Sequence, residues 1–296
     1  MQPLHPQLLR RNQNVWVSLA ALISPYFGML TLALVGETSD SWTFRFACLP
    51  FVAALQNHLQ ILFHEGAHYQ LVPKKRLNDI ATNIFCGVPF FGLVSQYRYF
   101  HFQHHRHLKD PKLDPEVSFY EDQGYRFEPL PLEKLLKIIF LDLCGYHFFQ
   151  FFFSYQLYLA REIQERRLPQ ISKGEWTSIA VVAIGVGILL TMPHGGRIFL
   201  WYWILPQVTF LFFFLKLQGY GEHRARSGKI DEFTSDLETG KITRFFIYPY
   251  NSDRHLTHHL YPNVPWYRLR SLGRNPEKRN YLIGKHSVLR ETLLRP

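Results

Sequence analysis

Cysteine is scarce: the 296-residue chain has three, Cys48, Cys86 and Cys144, far apart, none in a C-x-x-C spacing and two within strongly apolar runs. They read as buried free thiols, not as a disulfide framework. Internal repeats and low-complexity tracts are absent as well, and one domain accounts for residues 1–296. The first residues, MQPLHPQLLRRNQN, hold no apolar stretch ending in a small-residue cleavage site, so they are expected to stay on the chain as a cytosolic end. Acidic residues are in deficit, 23 Asp and Glu against 33 Lys and Arg, for a formal net charge of +10. Such an excess suits nucleic acid, but here it coexists with long apolar runs. Basic loops facing an anionic membrane surface explain it, and no nucleic-acid partner is expected.

What the chain does have is apolar length. Residues 15–35 carry no charge and match the roughly 20 residues a helix needs to cross the hydrocarbon core. A second span over 42–63 has one arginine, Arg45, near its start, close enough to reach the headgroups. Further apolar runs cover 135–160, 176–192 and 198–217. If all three crossed, segments 64–134 and 218–296 would lie on opposite faces. The acidic tip GETSDS opposes Arg10, Arg11, Lys74, Lys75 and Arg76, which places the N-terminus and residues 64–134 in the cytosol. Residues 161–175 are basic and look cytosolic too, and Asp142, His147, Gln150 and Gln156 are costly in lipid. The 135–160 run is therefore expected to be a helix lying in the interface or packed inside the protein. Residues 80–94, interrupted by Gly87, Pro89 and Gly92, are too short to cross. The expected architecture is all-α: four transmembrane helices in two hairpins (15–35 with 42–63, 176–192 with 198–217), interfacial helices, and a cytosolic histidine-rich cap from 64–134 and 218–296.

Fifteen histidines are present, and eight of them are patterned. His64 and His68 stand four apart in HEGAH; His101, His104 and His105 form HFQHH; His255, His258 and His259 form HLTHH. Alone, HEGAH has the zinc-protease pattern H-E-x-x-H, with Glu65 as general base. The repeated H-x-x-H-H spacing argues otherwise. Positions i, i+3 and i+4 share a helix face, so each box is expected to aim three nitrogens at one place, and imidazole suits iron, copper and zinc. Eight ligands exceed one catalytic zinc and suffice for two metals. His5, His58, His147, His194 and His286 read as core or surface residues, and His107, beside two ligands but outside the spacing, as a supporting or surface one. Asp110, Asp114 and Glu116 in DPKLDPE either hold the outer nitrogens of ligating histidines or simply make turns.

These residues resemble the membrane fatty acid desaturases and related hydroxylases. HEGAHYQLVPKKRLND is similar to that family's first histidine box, YRYFHFQHHRHLKDPKLDPE to its second and NSDRHLTHHLYPNVPWYRL to its third. The resemblance implies two iron ions, O2 as co-substrate and an electron donor. In GYGEHR it implies a ninth ligand, His223, just after the last span. It also implies that Glu65, Glu222 and Asn251 join Asp110 and Asp114 as groups beside the ligands, which would end the protease role of Glu65. No cytochrome b5-like segment is fused, so a separate carrier such as ferredoxin is expected. The reaction implied is desaturation of a fatty acyl chain on a membrane lipid or acyl carrier. Carotenoid or lipid hydroxylation or ketolation is the alternative within the family, and an intramembrane zinc protease using His64, Glu65 and His68 the alternative outside it. The expected location is a bacterial inner membrane or a cyanobacterial membrane.

Overall fold

A computed structural model describes residues 13–108, 110, 112–123, 131–168, 170–223, 234–272 and 283–284. His5 and His286 lie outside them. The protein is an all-α integral membrane protein. Four helices are long and apolar enough to cross a bilayer: α1 (Val15–Ser39), α2 (Trp42–Ala67), α8 (Lys173–Thr191) and α9 (Gly195–Glu222). Shorter helices complete the described chain: α3 (Lys75–Thr82), α4 (Val94–His107), α5 (Pro115–Asp122), α6 (Leu132–Leu143), α7 (Tyr146–Gln164), α10 (Lys241–Phe246), α11 (His255–Leu260) and α12 (Trp266–Leu272). The strand content described is one two-residue parallel pairing, Asp236–Leu237 with Ile283–Gly284.

Local chemistry sets where the spans begin. Asn14 caps α1 by accepting from the backbone N–H groups of Trp16 and Val17, and Ser41 caps α2 by accepting from Phe44. Ser172 and Glu175 close a reciprocal capping box on α8. Each span outruns its apolar core by a few residues, because hydrogen bonding continues into the polar flanks that hydropathy alone excludes. Asp40 turns α1 into α2 in the left-handed region, and the short turn through His194 joins α8 to α9. Arg197 donates to Glu37 at 2.8 Å, so both hairpin tips lie at the same end of the bundle. Between the tips and the histidines, α2 is the most buried span. Its Val52, Leu59 and Leu62 share one core with Leu22 and Met29 of α1 and Tyr202 of α9. By contrast α8 leaves Trp176, Val181, Ile184 and Ile188 exposed, an apolar surface suited to lipid.

Two expectations need correction, one on residues 135–160 and one on Cys144. Residues 135–160 are two helices, α6 and α7, bent by 73°. Gly145 makes the bend at φ +78, a conformation that costs a side chain dear, and a Cβ there would stand 3.2 Å from the Val208 carbonyl oxygen. Residues 80–94, expected to be too short to cross, are broken as well: α3 runs on through a π turn (Asn83–Gly87) and a 3-10 turn (Val88–Phe90), and the chain bends by 86° into α4. Cys144 is exposed, while Cys48 and Cys86 are buried free thiols. α9 itself holds two π turns, Leu200–Ile204 and Gln207–Leu211, on either side of Pro206, whose missing N–H interrupts the helical ladder.

Candidate metal centre

The C-terminal end of α2 carries His64 in its last turn and His68 just beyond it. Their four-residue separation puts both imidazoles on one face, where α4 and α11 meet them. The nine histidines form two groups: His64, His68, His101, His105 and His258 in one; His104, His223, His255 and His259 in the other. Within each group the ligand nitrogens all lie within 4.8 Å of one another.

The H-x-x-H-H boxes do not aim at one place each. His101 and His105 enter the five-histidine group while His104 turns to the other; His255 and His259 enter the four-histidine group while His258 turns to the first. At 3.6 residues per turn, i and i+4 differ by about 40° around the helix, whereas i+3 lies about 60° to the other side. Two centres flanking the helix separate them. His105 and His259, stacked with ring centroids 4.1 Å apart, bring the two groups side by side.

Inside each group the Nε2 atoms crowd together. His101 lies 2.9 Å from His68 and 2.8 Å from His105. His255 lies 3.0 Å from both His223 and His259. A neutral imidazole has one N–H, so His101 or His255 cannot satisfy two such neighbours by hydrogen bonding. Imidazole nitrogens about 2 Å from a shared first-row metal ion would stand about 3 Å apart, which is the spacing seen. His104 shows the fit most clearly. Its Nδ1 faces Asp114 at 3.0 Å and Glu116 at 3.1 Å, while its Nε2 is buried without a hydrogen-bond partner among the described residues. The donor set therefore fits transition-metal ions, two of them.

Burial, reinforced by neighbouring imidazoles, holds His68, His101, His255, His258 and His259 well below the ordinary histidine range, and takes His105 down to about 2. These groups are neutral at physiological pH, the form that ligates metal. His104 moves the other way: burial lowers it, but Glu116 and Asp114 outweigh burial and raise it.

The remaining candidates divide. Asp114 is buried against His104. Glu65 lies 3.4 Å from His64 Nδ1 and accepts from the Trp266 backbone N–H at 3.2 Å, so it braces that histidine. Glu222 lies 3.6 Å from His255 Nδ1 and accepts from Gln218 at 2.8 Å. Asp110 instead accepts from the backbone N–H groups of Lys112 and Leu113, a turn-making role with no histidine among its described contacts. Asn251 ties α12, donating to the Trp266 carbonyl and accepting from Arg270, and touches none of the nine histidines among the described contacts. His107 is half-buried at the end of α4, and His147 is a core residue paired with Asp142 at 2.7 Å.

A cavity of about 260 Å³ adjoins both groups, lined by His64, His101, His255 and His258. Its wall is aromatic. Phe148, Phe151, Phe152 and Tyr155 of α7 recur at helical spacing along one face, opposite Phe63, Phe100 and Phe212. Sequence reasoning missed this wall, since nothing local says which face of α7 turns inward. It also missed Lys216, a cavity-lining lysine in the last span. A signal was available there, because an ionisable residue within a membrane segment marks a functional position by default.

Two comparisons bear on this geometry. The family model described as fatty acid desaturase matches residues 40–285. A protein of Bradyrhizobium elkanii named dihydrorhizobitoxine desaturase is 24% identical over 263 residues, covering 84% of this chain and 72% of that protein.

Proposed function

Starting from a chain that belongs to the fatty acid desaturase family, and is thereby an oxidoreductase, we propose that it uses two iron ions and O2 to break an unactivated C–H bond of a lipid-like substrate, desaturating an acyl chain. The observation that carries this reading is the pair of histidine groups, five and four, beside one aromatic cavity.

His64, His68, His101, His105 and His258 would hold one iron; His104, His223, His255 and His259 the other. When bound, the irons with O2 and two donated electrons supply an oxidant strong enough to remove hydrogen from an alkyl carbon, beyond the reach of acid–base chemistry. The protein's own part is placement. Asp114 and Glu116 fix the His104 ring, Glu65 braces His64, and Tyr97 stacks on His101 with centroids 5.4 Å apart. The aromatic wall excludes water and limits which carbon meets the histidine end. Removal of a second hydrogen gives the double bond, and the relative named for a desaturation favours that outcome over hydroxylation. The protease alternative needs Glu65 turned to a metal-bound water; its oxygens are engaged with His64 and Trp266 instead.

The basic loops beside the histidines favour a cytosolic site in a bacterial inner or cyanobacterial membrane. The substrate would be a membrane lipid or acyl-carrier chain, with electrons from a separate ferredoxin-like donor. Metal analysis of purified protein, together with lipid and pigment profiles of a host with and without the gene, tests the proposal. Two irons per chain and an O2-dependent unsaturated product are expected. One zinc per chain with peptide cleavage would overturn it, and a hydroxylated lipid or pigment would move it to the hydroxylase branch.

A further inference from the structure

The cavity beside the histidines reaches the surface at Phe91, which is 53% exposed and the most exposed of its described lining residues. The ring of Phe152, on α7 and also in the lining, stands edge to face with it, centroids 5.9 Å apart, so the two frame a mouth. Phe91 holds φ +63, a left-handed conformation that disfavours an aromatic side chain and that asparagine takes more easily. Strain kept at an exposed position points to a use for the ring.

Three hydrogen bonds fix the depth of this mouth. Tyr26 of α1 donates to the Phe85 carbonyl at 2.6 Å, Trp203 of α9 to the Pro89 carbonyl at 3.1 Å, and Gln56 of α2 to the Trp203 carbonyl at 2.8 Å. Tyr26 lies about 17 Å along α1 from Val15, and Gln56 about 12 Å along α2 before His64. The turns that end in Phe91 therefore sit inside a hydrocarbon layer about 30 Å thick. α8, the least buried span, packs against the same turns, and α7 leaves Phe149, Phe153 and Leu157 exposed beside Phe152. An opening at that depth meets lipid chains, not water.

The volume, about 260 Å³, is at the lower edge of small-molecule sites and holds a segment of a chain, not a whole lipid. The carboxylates in the lining are taken up with histidines: Glu65 faces His64, Glu116 faces His104 and Glu222 faces His255. Resting on the proposed function, we infer that the acyl chain enters sideways from the bilayer through the Phe91–Phe152 mouth while still esterified to its membrane lipid. The headgroup stays outside, and the chain lies across Phe91 while its reacting segment meets the histidines. An acyl carrier works from the cytosol and does not reach a mouth at this depth.

The test places the photoreactive residue p-benzoylphenylalanine at Tyr155, inside the cavity, in full-length protein held in nanodiscs of dimyristoyl phosphatidylglycerol. Illumination followed by mass spectrometry should find an adduct with the mass of the intact phospholipid. Phe91→Asn, which suits the left-handed backbone but puts an amide against the chain, should lower that adduct about tenfold, the scale of leaving one amide desolvated. Phe91→Leu should keep it. The same probe at the exposed Phe153 should take up lipid equally in every variant, which reports folding and insertion. If Phe91→Asn fails that control, Phe152→Asn on the other side of the mouth should show the loss. Absence of a lipid adduct at Tyr155, with one present at Phe153, would overturn the inference. So would an undiminished adduct in a folded Phe91→Asn, or an adduct that forms only with added myristoyl-pantetheine thioester. Photolabelling requires neither iron nor an electron donor. Missing iron or product would count against the proposed function, whereas these outcomes count against the lateral mouth alone.

Discussion

The two ends of α2, separated by about 39 Å of helix, bury charge-capable groups in opposite ways. At the hairpin tips, Arg45 faces Glu37 and Asp40, and Arg197 reaches Glu37 from the other hairpin, so cations meet anions. At the far end nine imidazoles crowd nitrogen to nitrogen. The tips complete themselves with side chains, and the pairing joins the two hairpins. The histidine end is complementary to something that is not a side chain, a positively charged ion shared among lone pairs. Opposite charges serve cohesion in one place, and shared lone pairs serve binding in the other.

The sharpest way to break that comparison is to remove one ligand from each group. His68→Ala and His259→Ala should each abolish O2-dependent turnover and lower iron to about one per chain, since the groups share no residue. Metal analysis that finds two irons in both variants would dissolve the two-centre division. Smaller is Asp114→Asn, which loosens the partner of His104 and should cost about 10–100-fold in iron affinity or turnover. Asp110→Asn, four residues earlier, keeps a turn-making oxygen and should leave both near wild type. Comparing the pair by metal titration separates a ligand brace from a turn.

Acid sharpens the contrast with the metal stripped away. Six histidines, His68, His101, His105, His255, His258 and His259, sit below the ordinary value of 6.5 in the folded protein. Below that pH the unfolded chain binds protons that the folded one refuses, so stability falls as pH drops. His104, raised by Glu116 and Asp114, and the carboxyls of Glu116 and Asp236, raised by burial, contribute in the opposite sense, losing stability as pH rises through their folded values, but they are three against six. The melting temperature of metal-free protein should therefore fall steadily from about pH 7 to about pH 5, and bound iron should flatten the profile. A flat profile without metal would show that the imidazoles are not held neutral. Smallest in functional effect is Glu37→Gln at the tips. Breaking a fully buried ion pair costs about 3–5 kcal/mol, and since Asp40 remains beside Arg45 and is itself exposed, a loss of about 1–3 kcal/mol is expected. Thermal unfolding should register it while iron content stays unchanged.

Much of this architecture is legible without coordinates. Transfer cost is local and nearly additive along the chain, so the positions of all four long helices follow from apolar length. The helical bend at Gly145 is less legible, because the same residue type also sits inside straight helices. DPKLDPE carries two aspartates in similar local company, and sequence gives them equal claims. Only the position of α4 over α5 decides that Asp114 reaches His104 while Asp110 folds back on its own backbone.

By itself the sequence determined that histidines four apart would share a helix face, that three such boxes and four spans exist, and, through resemblance, that His223 belongs with them. Tertiary structure alone decided how the boxes divide, sending His104 and His258 away from their own i, i+4 neighbours. It also turned the aromatic face of α7 toward the histidines and brought Lys216 to the same cavity. Helical periodicity fixes the angle at which each side chain leaves its own axis. Which side chains then meet depends on where the other axes lie, and that is settled by packing between residues more than a hundred positions apart.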